Sequence, residues 1–332
     1  MSNILVTGGA GYVGSVCCRR LLDQGHNVIV VDDLSSGHAT AAPAGASLHV
    51  LDYGDRAGVA RLLSHNRVDA VFHFAAKALI PESVSNPGIF FDVNVASAIA
   101  FLEVLRKHGV KRFVFSSSAA VYGSPESSTI EEDHPKNPVN SYGESKLILE
   151  RVLQWYASAY GWTVTAFRYF NASGATTEAG ENHTPETHVI PLLLATALRK
   201  RPFFEIYGTD YETPDGTCIR DYVHVSDIAA AHVLALNIPQ RGGMHTYNIG
   251  CGKGFSVREV TATVQDVTGR NIPLRTGPRR PGDPATLCAN AAKIQRELRW
   301  QPTHSDLSDI VRSAWNWKLK SAAARGPCEQ SA

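Results

Sequence analysis

Six short runs of β-branched and other apolar residues punctuate the first half of the chain: "ILVT" at 4–7, "NVIVVD" at 27–32, "SLHVL" at 47–51, "AVFHFA" at 70–75, "RFVFSSS" at 112–118 and "TVTAFRYF" at 163–170. Between them apolar residues recur at helical spacing, which predicts helices over 12–24, 55–66, 89–108 and 141–160. Gly25 and Gly109 stand just past two of these, where a left-handed C-terminal cap is wanted. Strands so uniformly apolar are buried on both faces, and their alternation with helices is the pattern of repeated βαβ units. The fold class that follows is α/β, a doubly wound parallel sheet. After 171 the rhythm breaks into Gly, Pro, Thr and Glu-rich loops, returns as a helix at "SDIAAAHVLAL" and a strand at "HTYNIG", then breaks again. This predicts a sheet domain of residues 1–171 with about 222–250, a smaller discontinuous lobe of about 172–221 and 251–320, and a frayed tail at 321–332.

Glycines at 8, 11 and 14 follow the first strand directly in "TGGAGYVGS" and open the first helix. Gly8, Gly11 and Gly14 permit a tight turn there and let backbone N–H groups approach a pyrophosphate, whose charge the helix N-terminus favours. Asp32 ends the second strand, about twenty residues further on, where a carboxylate grips an adenosine ribose and repels a 2′-phosphate. The cofactor predicted is NAD rather than NADP, on a sheet of Rossmann type. Asp52, at the end of the third strand, either accepts from the adenine amino group or serves the N-terminus of the helix "RAGVARLL".

In "NSYGESKLILERVL" (140–153), Tyr142 and Lys146 lie one helical turn apart on one face. An ordinary solvated pair would look the same, but Ser118 at the end of the fifth strand converges with them on the carboxyl edge of the sheet, where ligands bind in such folds. A tyrosine needs its pKa lowered by about three units, roughly four kcal/mol, to act as a base near neutrality. The Lys146 ammonium and a positively charged nicotinamide both push that way. Ser118 can hydrogen-bond the same substrate oxygen, so the reaction type predicted is oxidation of a secondary alcohol.

Composition narrows the partners. Hydrophobic residues at 44% and charged residues at 19% of 332 describe an ordinary globular protein, and a net charge of +1 without a Lys/Arg run lacks the footprint of a nucleic-acid binder. The opening "MSNILVTGG" carries no basic leader or long apolar stretch, so a cytoplasmic protein without a membrane partner is expected. Cysteines at 17, 18, 218, 251, 288 and 328 form no CxxC pair and read as reduced thiols. His183 and His188 in "HTPETH" are five apart across Pro185, cannot share a helix face as a zinc-protease pair does, and read as loop histidines; no metal is predicted.

Together "TGGAGYVG", "HFAA", "SSSAAVYG", "YGESK" and "RYFNASGA" resemble the extended short-chain dehydrogenase/reductase family over essentially the whole chain. Within it, "DGTCIRDYVHVSDIA" and "RRPGD" are similar to motifs of members that epimerise UDP-hexoses at C4. The resemblance implies a catalytic trio of Ser118, Tyr142 and Lys146. It implies further cofactor contacts from Tyr12, Val13, Phe74, Ala75, Ala76 and Tyr169, beside the glycines, the two aspartates, Tyr142 and Lys146. For a UDP-sugar it implies Asn171 near the phosphates, Arg220 and Arg280 on the diphosphate, Asp283 on the uridine ribose, Tyr207 along the uracil, and Leu287 bounding the sugar pocket. Guanidinium forks suit phosphate oxygens, and a chain near neutrality needs such a local clamp. Read without the resemblance, "IRDY" could be an Arg220–Asp221 ion pair and "RRPGD" a solvated turn pivoting on Pro281-Gly282.

The activity implied is inversion at C4 of UDP-galactose or UDP-glucose. Tyr142 takes the 4-hydroxyl proton, hydride leaves C4 for NAD, the 4-keto sugar swings about its diphosphate, and hydride returns to the opposite face. Related dehydratases carry Asp-Glu just after the catalytic hydroxyl residue; here Ala119 and Ala120 stand there, and neither can move a proton. Leu287 falls where plain-hexose enzymes carry tyrosine and others a smaller residue, so epimerisation of UDP-N-acetylglucosamine, a UDP-pentose or a UDP-uronate is the alternative. A non-catalytic NAD-binding scaffold is the alternative of another class, with no use for the trio. Lys77 falls one place before a lysine of some members, and His188-Val189 replaces an Asn-Leu pair. The family implies a homodimer paired through the helices at 89–108 and 141–160.

Overall fold

Alternation along single strands decides the two faces of the main sheet. In the computed structural model, which describes residues 1–125, 127–280 and 283–324, Ile4 and Val6 of the strand Asn3–Thr7 join one hydrophobic cluster and Leu5 between them joins another. Val28 and Val30 part from Ile29 and Val31 in the same way along Asn27–Asp32, so both faces are apolar and both have to be covered. Helices Tyr12–Asp23 and Val225–Leu234 cover the first face through Val16, Cys17, Leu21 and Ile228. Helices Arg56–His65, Ala98–Lys107 and Ser141–Tyr160 cover the second through Val59, Leu63, Phe101, Leu105, Leu149 and Leu153.

Across the sheet the seven strands run Gly243–Ile249, Thr163–Tyr169, Arg112–Ser118, Ala70–His73, Asn3–Thr7, Asn27–Asp32, Ser47–Val50, with every pairing parallel. The chain steps outward from Asn3–Thr7 on one side, then returns to its other side at Ala70–His73. This reversal opens a crevice at the carboxyl ends of those two strands, the place where ligands bind in doubly wound sheets.

A second sheet orders Gly254–Ser256, Ile219–His224, Thr286–Ala289 and Thr129–Ile130, with Asn171–Ser173 also paired to Ile219–His224. It has a core of its own, including Leu193, Leu194, Ile206, Val260, Val264, Ile310 and Val311.

Three sequence expectations need correction. The helix over 89–108 is interrupted: Pro87–Phe91 and Ala98–Lys107 flank a π-helical turn at Asp92–Ser97. The region after 171 holds a helix at Val189–Ala197, and the region after 250 holds Val257–Thr268, Ala292–Leu298 and Leu307–Ala324. Residues 321–324 therefore continue the last helix and do not belong to a frayed tail; 325–332 lie outside the described residues, as do Pro281 and Gly282, the expected pivot of the "RRPGD" turn. Among the described residues Pro87–Lys107 is long and apolar enough, by length and composition, to cross a membrane, and its Phe101, Leu102 and Leu105 are buried against the sheet.

Candidate active site

The glycine-rich loop leaves the first strand so tightly that side chains are excluded. At Gly8, with φ +73°, a Cβ would stand 2.6 Å from the Ala75 nitrogen, and at Gly14 it would stand 2.1 Å from the Gly8 oxygen. Gly11 is the N-cap of Tyr12–Asp23 and makes no side-chain cap bond, so the first N–H groups of this helix face outward without a side-chain partner. Asp32 is buried; its Oδ2 accepts from Ala10 N and its Oδ1 from Leu34 N, each at 2.9 Å. Burial pushes this carboxyl up while the two N–H bonds pull it down. Each oxygen keeps a lone pair, so the carboxylate can lock the loop and still take a ribose hydroxyl. A bare helix N-terminus, a backbone cradle that a Cβ would fill and this carboxylate are the donor set that fits NAD.

Around the cradle, Phe74 N and Ala75 N both donate to Thr7 O, at 3.0 and 3.2 Å, so "HFAA", which ends at Ala76, lines the far side of the crevice. Val13 packs on the core, and the Tyr12 hydroxyl donates to Gly174 O at 2.6 Å. Asp52 is exposed, accepting from Gly54 N at 2.8 Å; the helix N-terminus is served by Asp55, which accepts from Ala57 N and Gly58 N. The capping alternative for Asp52 is thereby excluded. Lys77 meets the fold through its backbone, held on both sides by the amide of Asn94.

Ser118, Tyr142 and Lys146 come together. Ser118 ends its strand opposite Tyr169, and its Oγ accepts from Ala120 N at 3.1 Å, capping the short turn Ala119–Tyr122. Asn140 starts the next helix by accepting from Gly143 N at 2.9 Å, which places Tyr142 in the first turn. Tyr142, in the first turn of that helix, faces the Ser118 side chain. Lys146 Nζ donates to Ser116 O at 2.8 Å and lies 5.8 Å from the Tyr142 ring centre.

The electrostatics differ from the sequence expectation. Burial pushes Tyr142 up, with the Ser118 hydrogen bond opposing it, and burial lowers Lys146 to about 7, with Glu150 opposing. Both groups are charged only at a desolvation cost, so the protein alone does not supply the lowering of the tyrosine. A bound NAD would supply that lowering through the positive charge of its nicotinamide.

Beneath the trio lies a buried network that the sequence reading missed. Glu150 accepts from Ser117 Oγ at 2.5 Å and from Arg168 at 2.9 and 2.6 Å; Arg168 also donates to the Tyr122 hydroxyl, which donates to Asn248. Buried Asn94, from the π-helical turn, donates to Ser145 Oγ at 2.9 Å and so ties "HFAAK" to the catalytic helix. A signal existed for the first group: Glu150 is one turn beyond Lys146, and Arg168 is the one charge in an apolar strand. The Tyr169 hydroxyl pairs with His232 Nε2 at 2.6 Å.

The expected nucleotide groups pair among themselves. The Arg280 guanidinium lies 4.1 Å above the Tyr207 ring, and Arg220 is bonded to Asp283. Arg220 does not pair with Asp221, whose carboxylate accepts from Cys251 N, Gly252 N and Ala289 N at 2.8, 2.9 and 3.1 Å. The Arg220–Asp221 alternative is thus replaced by a backbone clamp around Asp221, pushed up by burial to about 6. Asn171 Nδ2 donates to Asp221 O at 2.9 Å. Leu287 is in register with Arg220 and packs on the cluster of Ala119, Tyr122 and Leu147, close behind the trio.

Comparison with known proteins bears on the family and the fold. The model of the NAD dependent epimerase/dehydratase family matches residues 4–250. The chain is 46% identical over 312 residues to a UDP-glucose 4-epimerase of Corynebacterium glutamicum, covering 94% of each. Among solved structures it is similar to a UDP-glucose 4-epimerase from Brucella ovis in complex with NAD, at 42% identity and TM-score 0.91, covering 95% of this chain and 98% of that one. It is also similar to a UDP-glucose 4-epimerase from Bifidobacterium longum in complex with NAD+ and UDP, at 35% identity and TM-score 0.92, covering 97% and 99%.

Proposed function

The chain belongs to the NAD dependent epimerase/dehydratase family, and on that premise we propose that it is an NAD-dependent enzyme inverting C4 of a UDP-hexose, interconverting UDP-galactose and UDP-glucose. The observation that carries the reading is the convergence of Ser118, Tyr142 and Lys146 beside the glycine cradle, with only Ala119 and Ala120 following Ser118. NAD, when bound, supplies the reversible hydride acceptance that C4 inversion needs. Tyr142 holds the proton exchanged with the sugar 4-hydroxyl, and Ser118 orients that oxygen toward it. Lys146, anchored on the Ser116 carbonyl, sets the field around the phenol. Because Ala119 and Ala120 offer no acid or base, the 4-keto sugar loses no water and is reduced again, on either face. Arg220, Asp283, Tyr207 and Arg280 hold the nucleotide, so binding energy sits away from the turning sugar.

Two finer statements belong to the same proposal. The enzyme is a homodimer, which exposure of Phe91 at 37% and Trp155 at 74% on the expected interface helices supports. It works in the cytoplasm, in keeping with five free cysteines among the described residues, four of them buried.

The test is conversion of UDP-galactose by the purified protein, with products separated chromatographically. UDP-glucose is the expected product, without added NAD if the cofactor co-purifies. No conversion even with NAD supplied sinks the UDP-hexose reading. Turnover of UDP-N-acetylgalactosamine in a parallel sample would show that Leu287 leaves room for an acetamide.

A further inference from the structure

We propose that Glu181, His183 and His188 form a binding site for a divalent transition-metal ion of the zinc type. The two histidines share no helix face. The loop folds back and brings their rings to 6.0 Å between centroids, and one candidate ligand atom from each of the three residues lies within 4.8 Å of the others.

Glu181 is the pivot. It is buried, its Oε1 lies 2.5 Å from His183 Nδ1 and its Oε2 lies 3.9 Å from His188 Nδ1. The shorter contact is an ion pair, and it leaves His183 Nδ1 shielded from solvent. Oε2 of Glu186 is also shielded, and unpartnered, while its Oε1 holds His188 Nδ1 at 2.8 Å. Buried polar atoms are nearly always satisfied, so an orphaned carboxylate oxygen beside a cluster of ligand-type groups calls for a partner. A cation accepts lone pairs from the cluster and from this oxygen at once.

The donor set selects the ion. Two imidazoles and a carboxylate suit zinc or its neighbours, whereas calcium and magnesium prefer oxygen shells. Metal–ligand bonds of about 2.0–2.2 Å place tetrahedral ligand atoms about 3.4 Å apart, so the loop has to contract by little more than about 1 Å. Glu186 then either orients His188 from outside, as carboxylates commonly do for metal-bound imidazoles, or closes the shell. A small cavity lined by Tyr12, Gly174, Glu181, His188 and Trp317 borders the cluster and leaves room for a water as an additional ligand. The loop is already tied down, since Lys318 Nζ donates to the Glu181 carbonyl at 2.7 Å. The ion would thus pin the loop between Asn171–Ser173 and Val189–Ala197.

The experiment uses the full chain, dialysed against chelator and titrated calorimetrically with Zn2+, beside the variants Glu181→Gln and His183→Ala/His188→Ala. One ion per chain is expected for the parent, with affinity lowered at least about tenfold in each variant that keeps its circular-dichroism spectrum. Absence of stoichiometric binding, or binding unchanged in the double variant, overturns the site. Should the variants fail to fold, Co2+ bound to the parent decides: visible bands without thiolate charge transfer support histidine and carboxylate ligands, and a thiolate band places the metal on cysteine instead.

Discussion

Burial works on Tyr142 and Lys146 in opposite directions, and both shifts are open to measurement. Tyr142→Phe deletes the phenolic proton that faces Ser118, so turnover of UDP-galactose is expected to fall by about 10²–10⁴ while the nucleotide still binds; unchanged turnover would remove Tyr142 from the mechanism. Lys146 is held at about 7 against an ordinary 10.5. The unfolded chain therefore binds more protons than the folded one between those values, and stability of the nucleotide-free protein rises as pH increases from 7 toward 10. Lys146→Met is expected to be more stable at pH 7 and to lose this slope, as read from urea midpoints at pH 7 and 9. Equal slopes in the two proteins would mean that the ammonium is not desolvated. At this scale the sequence made the trio legible, because spacing on a helix and position at a strand end are local facts. The pairing of Arg220 with Asp283 was not legible, since the partners are 63 residues apart and the adjacent Asp221 offered a plausible wrong match.

Elements were legible where one period dominated. The strands of the main sheet are uniformly apolar and bounded by glycines, and they lie within a residue or two of their expected limits. The helix Val257–Thr268 hid behind its β-branched residues, although Ser256 and Glu259 form a capping box whose S-x-x-E signature is visible in the sequence. Leu307, Ile310, Val311, Ala314 and Trp315 likewise carry a helical period within a charged, tryptophan-rich stretch. The π-helical turn at Asp92–Ser97 left no pattern, because its cause is tertiary: the turn aims Asn94 inward at Lys77 and Ser145. Asn94→Ala removes three hydrogen bonds and leaves buried partners unsatisfied, with an expected loss of about 1–3 kcal/mol. The same change should lower NAD retention, because it frees the segment after "HFAA"; a variant with parent-like urea midpoint and cofactor content would show the turn to be incidental.

For the whole molecule, the second face of the sheet carries both the catalytic helix and the surface through which two copies are proposed to meet. Helix Ser141–Tyr160 turns Leu149, Leu153 and Ala157 toward the sheet, while Trp155 stands 74% exposed on it. Val84 at 70% and Phe91 at 37% are likewise exposed on the neighbouring short helices Ile80–Ser85 and Pro87–Phe91, which pack against Ser141–Tyr160. Large aromatic side chains left in water on adjoining helices mark an interaction surface, and a self-complementary patch on one face favours a closed pair over a filament. Joining two copies there would stiffen the helix from whose first turn Tyr142 reaches Ser118, so association and activity should be linked. Trp155→Glu places a charge in the middle of the proposed contact, and light scattering is expected to show it shifted from dimer to monomer, with turnover falling in step on dilution. A variant that stays dimeric would move the interface elsewhere, and a monomeric variant with full turnover would separate assembly from the chemistry of the crevice.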